Sequence, residues 1–114
     1  MRLARQEFGE AVLVTVEEPR IDAAVAIQFK DRLRELAGEG PGRVVLDLGQ
    51  VEFLDSSGLG AVVAAMKQLG ANRKLELAAL TPTVEKVFRL TRMDTVFTIH
   101  AQAADAMAGL AKAS

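Results

Sequence analysis

The sequence predicts a single α/β domain, with a mixed but mostly parallel sheet of about five strands, an antiparallel hairpin at its start and about four helices. Three observations carry that reading. Two strand-like segments open the chain, and strand runs then alternate with helix-period segments. The third is Val44-Val45-Leu46, apolar on consecutive positions as in a strand covered on both faces. Strands joined through crossover helices run parallel, so the sheet beyond the hairpin is expected to be parallel.

Leu3 to Phe8 and Ala11 to Glu17 form the hairpin, joined by Gly9-Glu10, a Gly-X pair suited to a two-residue type II′ turn. After Pro19, Asp22 is placed to cap a helix whose apolar positions Val25, Phe29, Leu33 and Leu36 continue until Gly38 ends it. Gly38-Glu39-Gly40-Pro41-Gly42 reads as a connection, and Arg43 to Leu48 as the central strand. A second helix is expected from about Ser57 to Leu69, with Leu59, Val62, Val63 and Met66 on one face and Gly70 just past its end. Lys74 to Ala79 follows as a strand, Leu75 and Leu77 alternating with Glu76 and Ala78. Thr81-Pro82 starts a third helix, with Val84, Val87 and Phe88 as its buried stripe. Val96 to Ile99 reads as the last strand, and Ala103, Met107 and Leu110 mark one side of a C-terminal helix from Ala101 onward.

A length of 114 residues fits one core, and 50% hydrophobic side chains are enough to fill it. Cysteine is absent, which removes disulfides, thiolate metal sites and a cysteine nucleophile together and fits a reducing cytosol. The start Met1-Arg2-Leu3-Ala4-Arg5 has no signal-peptide core and no stretch is long and apolar enough to span a membrane, so a cytoplasmic protein with no direct membrane insertion is expected. Fourteen basic against fifteen acidic residues, with no long run of either and no Tyr or Trp, argue against nucleic acid as a partner.

The residues with most chemical content are Asp55-Ser56-Ser57-Gly58-Leu59-Gly60, which lie beyond the carboxyl end of the central strand and open a helix. Functional groups of open α/β sheets collect at such positions. Ser, Asp and Gly are also what a helix start prefers, and a cap stabilises by ~1 kcal/mol with no further role. Redundancy raises the motif above that: three capping side chains stand where one suffices, followed by two glycines that would leave the surface bare for another protein's active site. A phosphate on serine there would meet unpaired backbone N–H groups and the positive end of the helix dipole.

Catalysis by the chain itself is not expected. Gly-x-Ser-x-Gly is missing and the one histidine, His100, stands at the far end of the last strand, where it reads as a solvated or half-buried strand-end residue. A phosphate-binding loop is missing too, since the glycine cluster at 38–42 precedes a strand. Asp47, Glu52 and Asp55 have no histidine or cysteine to complete a metal set, so neither a metal nor a cofactor is expected.

The segment from Val44 to Gly60, with Asp55-Ser56-Ser57-Gly58 at its end, resembles the signature of the STAS family, and most closely its free-standing anti-sigma factor antagonists. The similarity extends through Ile21-Asp22, Thr81-Pro82-Thr83-Val84 and Leu90-Thr91-Arg92-Met93-Asp94. It implies a STAS-like fold and no enzyme activity. It also implies phosphorylation at Ser56 by a partner that is both anti-sigma factor and serine kinase, with reversal by a serine phosphatase. The unmodified form would bind the anti-sigma factor and free the sigma factor. By the same resemblance Asp55 orients Ser56 or the incoming kinase, Ser57 serves as cap or neighbour, Asp22 maps to the partner-facing edge, and Gly58 and Leu59 complete the contact surface. The chain departs from the family at Arg92, where glycine is usual, and it is expected as a monomer or weak dimer. A second implied function is a constant one: a STAS subunit docked on the ATPase of a lipid-transport complex, with the same helix surface as a fixed contact.

Overall fold

The computed structural model describes residues 1–38 and 42–108. Strands β1 (Leu3–Phe8) and β2 (Ala11–Val16) pair antiparallel about Gly9-Glu10. Gly9 takes φ 58° and Glu10 stays out of the left-handed region, as a type II′ turn requires. Next come β3 (Arg20–Ile21), α1 (Ala26–Ala37), β4 (Gly42–Asp47), β5 (Phe53–Leu54) and α2 (Ser56–Leu69). The chain continues through β6 (Arg73–Ala78), α3 (Pro82–Leu90), a single 3₁₀ turn at Met93–Thr95, β7 (Ile99–His100) and α4 (Ala103–Ala106). The main sheet has the order β1-β2-β4-β6-β7, and its β2–β4, β4–β6 and β6–β7 pairs are parallel.

Alternation along each strand separates two apolar layers. Val12, Val14 and Val16 of β2, Val44 and Leu46 of β4, and Leu75 and Leu77 of β6 face one way and pack against Phe29 and Leu33 of α1, Val62 and Ala65 of α2, and Val84 and Phe88 of α3. The opposite face is thinner: Ala11, Val45 and Ala78 are covered by Ala106 and Met107 at the end of α4. The doubly apolar β4 run is thus accounted for, with Val45 as its outward member.

Several sequence expectations are corrected. The first helix does not begin at Asp22: its N-terminal boundary is Val25, with no side-chain cap. Asp22 closes the preceding turn instead, its Oδ1 accepting from Ala24 N (3.1 Å) and its carbonyl from Val25 N (3.1 Å). The last strand begins at Ile99 rather than Val96, because Phe97 drops into the core edge-on to Phe88, ring centroids 5.9 Å apart, before the chain reaches the sheet. The C-terminal helix starts two residues later than expected, with Gln102 and Asp105 forming a reciprocal capping box. Its expected stripe member Leu110, and Glu39, Gly40 and Pro41 of the 38–42 connection, lie outside the described residues. The two-stranded parallel β3–β5 pair was not foreseen, since two residues are too few to display a period.

Arg92 follows α3 in a left-handed conformation, φ 60° and ψ 21°. A Cβ there strains the backbone where glycine would not, so Arg92→Gly is expected to stabilise the fold by about 0.5 kcal/mol, the relief being partly offset by a freer unfolded chain. Thermal unfolding reads this directly: the midpoint should rise, and a fall would contradict it.

The outward face also carries a charge cluster. Glu76, with only 3% of its surface exposed, receives both Nε (2.5 Å) and Nη2 (2.8 Å) of Arg43, and its Oε1 lies 2.7 Å from His100 Nε2. Chiefly through the Arg43 hydrogen bonds, and against the effect of burial, its carboxyl is lowered to about 2 from an ordinary 4.5. A depressed carboxyl contributes stability that is complete above its unfolded pKa and is lost as pH falls through the folded one. Between about pH 4.5 and 2 the protein should therefore lose on the order of 2–3 kcal/mol from this group alone. Denaturant titrations of Glu76→Gln and the parent at pH 5 and at pH 2.5 check it: the gap between them should narrow at the lower pH.

Candidate functional site

The chain from β4 to α2 builds the site. Asp55, extended at φ −95° and ψ −175°, is the N-cap of α2, and its Oδ1 accepts from Gly58 N at 2.8 Å. Its other oxygen, Oδ2, accepts from Ala23 N at 3.2 Å. One carboxylate thus caps the helix and ties it to the turn that carries Asp22. Asp22 in turn lies 3.3 Å from Arg20 Nε, and the Arg20 guanidinium stacks on Phe53 with its carbon 4.6 Å from the ring centroid.

With Asp55 as cap, Ser57 is not one. Ser56 and Ser57 are the first two residues of α2, both exposed, and neither hydroxyl has a hydrogen-bond partner among the described residues. Both are surplus to the helix. The two glycines also divide their work differently from the expected bare surface. Gly60 is exposed with nothing within 4 Å of where a Cβ would stand, whereas Gly58 is buried and a Cβ on it would lie 2.0 Å from the Ile21 carbonyl oxygen. Gly58 therefore brings α2 against β3 and is not available to a partner. Leu59 is half-buried against the core.

The outward side of α2 runs between two shallow grooves. One, of about 200 Å³, is lined by Ala26, Ile27, Lys30, Ser57, Ala61 and Ala64; the other, of about 410 Å³, by Ser56, Leu59, Val63, Lys67 and Met93, and Gly60 borders both. Ile27, on the rim of the smaller groove, is 71% exposed. Of the sequence-predicted site residues, Asp22, Asp55, Ser56, Ser57 and Leu59 are brought together at one end of the sheet, with Gly58 beneath them.

Sequence reasoning missed the pairing of Arg43 with Glu76, having read Glu76 only as the polar partner in an alternating strand. The β4–β6 register sets Val45 opposite Glu76 and so puts Arg43 diagonally across from it on the same face. His100 is the half-buried strand-end residue expected, with Glu76 as its neighbour. Among the described residues no three His, Asp or Glu side chains gather as metal ligands would.

The two free serine hydroxyls thus stand at a helix start beyond the end of a central strand. The chain belongs to the STAS domain family, whose model matches residues 2–106. It is similar to the anti-sigma-F factor antagonist RsfB of Mycobacterium tuberculosis, with 29% identity over 102 residues that cover 90% of this chain and 82% of RsfB. Among solved structures it is similar to an anti-sigma factor antagonist from Mycobacterium paratuberculosis, with a TM-score of 0.82 and 25% identity over 93% of this chain and 90% of that one. The fold is shared with the Bacillus cell-fate determinant SpoIIAA, solved in an unphosphorylated form (TM-score 0.69, 22% identity, covering 93% of each chain). SpoIIAA is also solved in a phosphorylated form (TM-score 0.63, 20% identity, covering 93% of this chain and 96% of that one).

Proposed function

We propose that this chain is an anti-sigma factor antagonist, a binding protein and not an enzyme, whose unmodified form holds an anti-sigma factor and releases the sigma factor. A phosphate on Ser56 ends that binding. The anti-sigma factor is itself the serine kinase, and a serine phosphatase restores the binding form in the cytoplasm. The observation that carries the reading is the exposed, unbonded Ser56 hydroxyl on a helix already capped by Asp55. A fixed, purely structural helix start has no use for it. Around that hydroxyl the half-buried Leu59, the grooves on either side of α2 and the Asp22 turn form the surface on which the partner sits.

The relatives named for anti-sigma antagonism favour this reading over constant docking on a transporter ATPase, and no feature of the site favours the latter. Binding of Ser56→Ala and Ser56→Asp to a cognate anti-sigma factor kinase tests it. The alanine form should bind and resist phosphorylation, and the aspartate form should lose binding. Equal binding by both would reject the switch.

A further inference from the structure

Helix α4 covers the outward face of the sheet with four helical residues, too few to hold a helix by itself. Ala106 and Met107 rest on Ala11, Val45 and Ala78. Among the described residues the polar tie is one bond: Arg43 Nη2 donates to the Ala106 carbonyl at 2.9 Å. The same guanidinium is forked onto Glu76, which His100 contacts from β7, so the group is held from the sheet side and aimed at the last carbonyl of α4. Unpaired carbonyls at a helix end favour a cation there. Helices α1, α2 and α3, by contrast, are anchored in the large core on the other face.

We propose that α4 is a detachable strap latched by Arg43, which lifts from the outward face as a local unit while the rest of the domain stays folded. Lifting bares an apolar patch made of Phe8, Ala11, Leu13, Val45 and Ala78. The latch engages the face opposite α2.

Amide hydrogen exchange on the full chain reads the strap through Asp105, Met107 and Ala108, whose N–H groups bond within the α4 turn. In the parent these amides should exchange well ahead of those in β4 and α2. The double variant Arg43→Met/Glu76→Leu removes the latch without leaving a buried unpaired carboxylate. It should accelerate the three amides about tenfold or more beyond whatever change the altered global stability produces at Val44 to Leu46. Should that variant not fold, Arg43→Lys keeps the charge but loses the fork that spans Glu76 and Ala106, and an intermediate acceleration confined to the same amides is expected. Acceleration spread evenly over strap and core, or none at Asp105 to Ala108, would overturn the proposal.

Discussion

Gly58→Ala is expected to destabilise the domain by about 3 kcal/mol, although alanine is the better helix former by about 1 kcal/mol. The added methyl would stand 2.0 Å from the Ile21 carbonyl oxygen and 2.9 Å from its carbon, both backbone atoms that no rotamer change can move. Either α2 slides away from β3 or the β3–β5 pair opens. Each course disturbs the Asp55 tie to Ala23 and with it the placement of Ser56. Denaturant unfolding should therefore show a lower midpoint, and partner binding at a temperature where the variant is still folded should be weaker. Gly60→Ala, with open space around the corresponding Cβ, is the internal contrast: it should be neutral or slightly stabilising. A Gly58→Ala protein as stable as the parent would mean that α2 does not lie against Ile21.

The second large effect is on binding. A phosphate on Ser56 adds about −1.5 to −2 charges, and one like-charge pair 4 Å apart in a partly screened interface opposes association by up to roughly 4 kcal/mol. Since 1.4 kcal/mol is tenfold in affinity, a loss of about a hundredfold to a thousandfold is expected. Steric exclusion from the Leu59 and Met93 groove acts in the same direction. The fold should survive the modification, because the free N–H groups and positive dipole end of α2 accept a negative charge at its first residue. Unchanged circular dichroism together with lost binding is the expected pair of observations.

The main architecture was readable because it rests on long periodic segments. Val12, Val14 and Val16 against Val44 and Leu46, and Phe29 and Leu33 on one side of α1, are patterns in which many residues agree. The Asp55 to Gly60 motif was readable as a helix start for a similar reason, since cap, hydroxyls and glycines coincide. The division of labour inside it was not. Whether Asp55 or Ser57 caps depends on two residues of phase in the helix, and whether Gly58 or Gly60 faces the core depends on where Ile21 passes, a contact across 37 residues of chain. The Asp22 turn was misread as a helix cap because the same residue type serves both local structures. Arg43 and Glu76 are joined only by strand register, which no local pattern encodes.

In the proposed function Ser56 is the hydroxyl through which a kinase controls this surface. Titration of the cognate anti-sigma factor with the unmodified protein and with the protein quantitatively phosphorylated on Ser56 tests it most directly. Tight binding by the first and a loss of about a hundredfold or more by the second is the expected result. Equal affinities for the two forms, with phosphate verified on Ser56, would contradict it.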